Sequence, residues 1–228
     1  MTSAARYGRR PPPVAPLAVA AALTAAASGL AAQPAASGGK PVHSLAEFRN
    51  EGVVRQRFDL TCGAAAIATV LTYQFDRPVS ERAVVLAMLR RTSPVLVRMR
   101  LGFSLLDLKR YAASQGFVAA GFSAMSLDDL DARAPVIVPI RWHGFRHFVV
   151  YRGRRADRVL IGDPAFGNRT LARDDFVAAW AGGIGFIVFD PTNPHAPSRM
   201  GAPAALFIAP GVQARRNAID TLNAEVRP

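Results

Sequence analysis

The stretch Gln56-Arg-Phe-Asp-Leu-Thr-Cys62-Gly-Ala-Ala-Ala-Ile-Ala-Thr-Val70 constrains the fold more than any other part of the chain. Residues 64–70 are small or aliphatic and uncharged, which reads as the first turns of a buried helix. Cys62, the only cysteine in 228 residues, stands at its start. A cysteine there faces unpaired backbone N–H groups and the positive end of the helix dipole, and both favour thiolate over thiol. A free cysteine can also be nothing more than a small core hydrophobe. Gln56, six residues upstream, weighs against that reading, because a side-chain amide is one of the groups that can hold a developing oxyanion. A histidine and an aspartate further on weigh the same way.

The length suits one sizeable domain with appendages. The formal net charge is +12, and nearly all of the excess is arginine, since Lys40 and Lys109 are the only lysines. Such a surplus can mean nucleic acid, anionic lipid or an acidic partner. The arginines are scattered from Arg6 to Arg227 with no nucleic-acid motif among them, so no nucleic-acid partner is expected. A single cysteine excludes an intrachain disulfide and any multi-cysteine metal site.

Residues 1–32 have the layout of an export signal: a basic start with Arg6, Arg9 and Arg10, an apolar run over 17–27, and small residues around Ser28 to Ala32. An uncleaved N-terminal anchor is the competing reading, and either places the domain outside the cytoplasm. A small-residue linker, 33–41, follows. The main domain is expected over 42–191 and a Pro-, Ala- and Gly-rich C-terminal extension over 192–228, with Leu206 to Ile208 able to dock and 215–228 a loose or helical tail.

Within the domain, Ser44-Leu-Ala-Glu47 resembles a capping box, and 42–54 is expected to form a short helix and a strand leading into Gln56. The Cys62 helix should run to about Tyr73. Ser80 caps a helix through Leu89, and Ser104 with Asp107 opens another that Gly116 stops. Residues 90–102 read as a basic irregular stretch. Beyond Gly116 the pattern changes to short apolar runs bounded by Gly, Pro and Asp, at 117–122, 135–141, 147–151, 158–161 and 184–189. Two helical stretches, 126–132 and 173–180, interrupt them. Helices first and an antiparallel sheet afterwards predict an α+β domain.

His147 opens one of these strands and Asp163 follows the next. A hairpin would bring both to one end of the sheet, where the imidazole can take the Cys62 proton and the carboxylate can fix its tautomer. Taken singly, His147 could be a half-buried strand histidine and Asp163 an ordinary turn aspartate. His143 is a competing base, and His43 and His195 are weaker ones. His143 and His147 would chelate zinc only on a helix. In extended chain four residues span about 13 Å, so neither a metal nor any other cofactor is expected.

Four blocks in order, Gln56-x5-Cys62-Gly-Ala-Ala, His147-Phe-Val-Val, Asp163-Pro-Ala-Phe-Gly167 and Phe176-x3-Trp180, resemble the C39 peptidase family, the double-glycine leader peptidases related to papain. The resemblance covers about 53–191. It implies a papain-like fold, with N-terminal helices carrying the cysteine packed on a C-terminal antiparallel sheet that carries His and Asp. It implies Cys62 as nucleophile, His147 as general base, Asp163 as orienting residue and Gln56 as oxyanion donor. Many members carry Asp where this chain has Thr61. With an export signal and no transporter domain, the chain looks more like the free-standing exported members, including the one encoded with functional-amyloid secretion systems.

The leading expectation is a periplasmic cysteine endopeptidase acting on a peptide or protein client, with small residues such as Gly-Gly before the cleaved bond. The alternative is a C39-like binding module or chaperone-like part of a secretion system. A third is another Cys-His-Asp chemistry, such as cell-wall amide hydrolysis or transamidation. Gly38-Gly39 is a weak candidate for self-cleavage.

Overall fold

The computed structural model describes residues 45–142, 144–194, 196–203 and 206–207. The export-signal and linker readings, Ser44, Gly38-Gly39, His43, His143, His195 and the tail beyond Phe207 lie outside them. The described chain runs α1 (Leu45–Asn50), α2 (Cys62–Gln74), α3 (Glu81–Leu89), α4 (Pro94–Arg100), α5 (Leu105–Ser114), β1 (Val118–Phe122) and α6 (Leu127–Arg133). It continues through β2 (Val136–Trp142), β3 (Phe145–Arg155), β4 (Arg158–Asp163), β5 (Gly167–Ala172), α7 (Arg173–Ala179), a 3₁₀ turn at Ala181–Gly183 and β6 (Gly185–Phe189).

The strands form a six-stranded antiparallel sheet in the order β1-β6-β2-β3-β4-β5. From β2 to β5 the chain is a meander, and β6 returns to fill the place between β1 and β2. Helix α2 lies against one face. Nearly every residue of it is buried, as an uncharged helix demands. Ile67, Val70 and Leu71 pack with Val84 and Met88 of α3, Leu108 and Tyr111 of α5, and Val150 of β3. Burying each large aliphatic side chain contributes roughly 1.5–3 kcal/mol. Leu127 and Leu130 of α6 and Phe176 of α7 form a second cluster with Val138, Val149 and Ile161 of the sheet. Gly63 lets α2 close on the sheet, since a Cβ there would meet Leu108 and Phe148 at 3.2 Å.

Three local readings are corrected. No strand leads into Gln56; the backbone there bonds to partners on other elements instead of to a neighbouring strand. Val54 N–H donates to the Thr69 hydroxyl at 2.9 Å, Gln56 N–H to the Pro164 carbonyl at 2.8 Å and Arg57 N–H to the Glu81 carboxylate at 2.9 Å. The stretch 90–102 is not irregular, because it contains α4. Ser93 caps this helix, Pro94 starts it, and Leu101, with φ 56, stops it. Strand β5 was not expected, because its buried residues Asn168, Arg169 and Thr170 are polar and break the apolar pattern a strand search relies on.

The segment after β6 packs back on the domain. Met200 and Leu206 are buried, and the guanidinium of Arg152 on β3 donates to the Met200 carbonyl at 3.2 Å. The Gln74 side chain donates to the Pro197 carbonyl at 3.0 Å and accepts from Arg199 N–H at 2.8 Å.

Gly167, at the start of β5, has φ 80, and a Cβ there would lie 2.2 Å from the Arg49 carbonyl of α1. Gly167→Ala is therefore expected to lower stability by about 2–4 kcal/mol. Urea unfolding checks this, with the midpoint shifting and the slope unchanged.

Candidate active site

Cys62 is the first residue of α2 and is nearly buried, at 8% exposure. Thr61 holds the N-cap position, but its hydroxyl turns to the Phe58 carbonyl, at 2.6 Å, and to the Glu81 carboxylate instead of to the helix. His147 lies near the start of β3, and Asp163 is the last residue of β4. The hairpin pairs Val150 with Gly162 and Tyr151 with Ile161, which brings the two residues to the same end of the sheet. His147 Nε2 bonds Asp163 Oδ1 at 2.7 Å, which leaves Nδ1 as the ring nitrogen free to interact with the nearby Cys62.

Asp163 is fully buried, and four donors surround it. Besides His147, its Oδ1 accepts from the N–H groups of Ala165 at 2.8 Å and Phe166 at 3.2 Å, while Oδ2 accepts from Arg169 at 3.3 Å. Burial alone would raise this carboxyl, but the bond and charge of His147, then Arg169 and the Ala165 N–H, hold it below the usual carboxylate range. For His147, burial works to lower the imidazole. The hydrogen bonds to Asp163 and Cys62, with their charges, outweigh it and lift the group from 6.5 to about 10. The imidazole is therefore an imidazolium at neutral pH.

Gln56 enters from the loop before α2. Its backbone N–H donates to Pro164, the residue after Asp163, and its side-chain amide donates to the Phe58 carbonyl at 2.7 Å. An amide NH₂ carries two hydrogens, so one stays available toward the groove. That groove, about 560 Å³, is lined by Gln56, Leu60, Cys62 and His147, by Met99, Arg100 and Leu101 at the end of α4, and by Phe145 and Arg146 of β3. All four residues predicted from sequence thus come together. Among the described residues, no three His, Cys, Asp or Glu side chains cluster as a metal site.

Two participants were not anticipated. Arg169 pairs with Ile161 across β4–β5, which puts it diagonally opposite Asp163 on the same face. Its only signal is a basic residue in a segment that did not read as a strand. Glu81 opens α3, where an acidic residue looks like an ordinary partner of the helix dipole; nothing local points it at the loop before Cys62.

A helix-borne cysteine facing a sheet-borne His–Asp pair is the papain-like arrangement. Residues 50–193 match the model of the Peptidase C39 family, and the chain belongs to that family. It is 43% identical over 143 residues to the probable functional amyloid protease FapD of Pseudomonas fluorescens, covering 63% of each chain. It is 39% identical over 170 residues to the probable functional amyloid protease FapD of Pseudomonas aeruginosa, covering 71% of this chain and 74% of that one. The match thus spans just under two thirds of the P. fluorescens relative. Among solved structures, the fold is like that of the peptidase domain of Streptococcus ComA, a bi-functional ABC transporter involved in a quorum sensing pathway. The TM-score is 0.51 at 21% identity, over 60% of this chain and 96% of that one.

The His147 imidazole is expected to titrate with a midpoint near 10 by NMR, and well below that in Asp163→Asn. Because the folded value lies above the ordinary one, the contribution of His147 to stability is whole below about pH 6.5, as long as Asp163 stays ionised, and is lost as pH rises through about 10. Asp163, held low, loses its own contribution as pH falls into the acid range. Unfolding free energy measured across that window checks the sign.

Proposed function

We propose that the protein is a cysteine endopeptidase that cleaves a client polypeptide after small residues of the Gly-Gly type. The observation that carries this reading is His147, bonded to Asp163 at 2.7 Å and close enough to Cys62 to interact with it, at a groove that Cys62, His147 and Gln56 all line. The Cys62 sulfur attacks the peptide carbonyl, and the Gln56 amide with the Cys62 N–H holds the resulting oxyanion. His147 gives its proton to the leaving amine, and the sulfur is left acylated. His147 then takes a proton from water, which attacks the thioester and frees the second product. Asp163 keeps Nε2 protonated and Nδ1 facing the sulfur.

The binding-module alternative would use the same groove without chemistry. Against it stands the geometry: a buried carboxylate with four donors orients His147 beside the cysteine at the start of α2, an arrangement that nucleophilic catalysis needs and peptide binding does not. The groove walls favour a client with apolar residues against Met99, Leu101 and Phe145, and with carboxylates within reach of Arg100 and Arg146. A periplasmic setting rests on the export-signal layout of 1–32, and likeness to the FapD proteins supports a client within a functional-amyloid system.

On a Gly-Gly peptide with apolar and acidic residues upstream, Cys62→Ser is expected to lower kcat/KM by about 10⁴ or more and Gln56→Ala by about 10²–10³. Product mass spectrometry fixes the cleaved bond. A Cys62→Ser variant as active as the wild type would overturn the reading.

A further inference from the structure

Leu60, two residues before Cys62, has φ 63. A branched side chain in that region costs about 1–3 kcal/mol and persists only where its surroundings over-determine it. Glu81 supplies such surroundings. It is the first residue of α3, yet it is 4% exposed and its carboxylate faces the loop. Oε2 accepts from Arg57 N–H at 2.9 Å, Oε1 accepts from Phe58 N–H at 3.4 Å, and Oε1 also contacts the Thr61 hydroxyl. These contacts bracket Leu60 from both sides. The Phe58 carbonyl in turn receives the Gln56 amide at 2.7 Å and the Thr61 hydroxyl at 2.6 Å. One side chain from another helix thus holds the backbone that carries Gln56 on one end and Cys62 on the other. An acid serving only the helix dipole would work from the surface; withdrawing a carboxylate from water has a large cost that the loop's donors offset.

We propose that Glu81 is a positioning residue for the reaction, fixing the 56–62 loop so that the Gln56 amide and the Cys62 N–H converge on one oxyanion position. It touches no substrate. The proposal rests on the reading of Gln56 as the oxyanion donor. It separates two reactions of the same thiol. Peptide hydrolysis builds an oxyanion. Alkylation by iodoacetamide forms a C–S bond and expels iodide, and it builds none.

The test is Glu81→Gln, measured by peptide turnover, Cys62 alkylation and amide hydrogen exchange at Arg57 and Phe58. The expected result is a fall in kcat of about 10²-fold with KM within about twofold, alkylation at the wild-type rate, and faster exchange at both amides. Thr61→Val, which removes the hydroxyl's contacts with Glu81 and the Phe58 carbonyl but leaves the Glu81 bonds to Arg57 and Phe58 N–H, is expected to give a smaller fall of the same pattern, and it carries the test if Glu81→Gln does not fold. Unchanged turnover, or turnover and alkylation falling together, would overturn the proposal. If the wild type alkylates but cleaves no peptide, the peptidase reading has failed; exchange at Arg57 and Phe58 then decides the loop role alone, and unchanged rates would end it.

Discussion

The site depends on a carboxylate kept out of water. Asp163 is fully buried, and removing such a group from solvent costs several kcal/mol before any partner is counted. Four donors offset that cost: the His147 ring, two successive backbone N–H groups and the Arg169 guanidinium. Buried ion pairs of this kind add little net stability compared with a well-packed apolar core. What the arrangement provides is direction. It holds one nitrogen of the imidazole, so the other faces Cys62, and it keeps the ring protonated at neutral pH. The turn that follows extends the same order, because the Pro164 carbonyl accepts from the Gln56 backbone. Acid, base and amide are thereby referred to one short stretch of chain.

The loop from Gln56 to Cys62 is held from two directions. On one side it is tied to the 163–165 turn, through Gln56 and through the Arg55 guanidinium, which donates to Pro164 at 3.1 Å. On the other it is tied to α3 through Glu81. Between these anchors sits the strained backbone of Leu60. Backbone strain of this kind persists only where the surroundings over-determine it, and the residues at the two ends of this loop are Gln56 and Cys62. The Thr61 hydroxyl, which meets the Phe58 carbonyl and the Glu81 carboxylate, is part of the same bracing.

The parts of this design that the sequence reveals are those written locally. An uncharged run of alanines after Cys62 can only be a buried helix, and Ser80 and Ser104 announce the starts of α3 and α5. His147 and Asp163 stand at the ends of apolar runs, and their meeting follows once those runs pair. The hidden parts owe their roles to distant partners. Strand β5 is concealed because Arg169 and Asn168 are buried polar residues, satisfied by Asp163 and by Arg152 and the end of α1. Helix α4 is hidden by its arginines, although Ser93 and Pro94 announce its start, while its stop at Leu101 carries no local signal. The end of 42–54 reads as a strand leading into Gln56, yet the backbone donors of Val54, Gln56 and Arg57 find a hydroxyl, a carbonyl and a carboxylate on three separate parts of the chain. No periodicity in the sequence encodes that.

The central claim is that His147, held by Asp163, makes Cys62 a working nucleophile. Its most direct test is the rate of iodoacetamide labelling of Cys62 in the folded protein at pH 7, compared with His147→Ala. Rapid labelling that falls by about tenfold or more when the imidazolium is removed is the expected result. Slow labelling in the wild type, indifferent to the loss of His147, would contradict it.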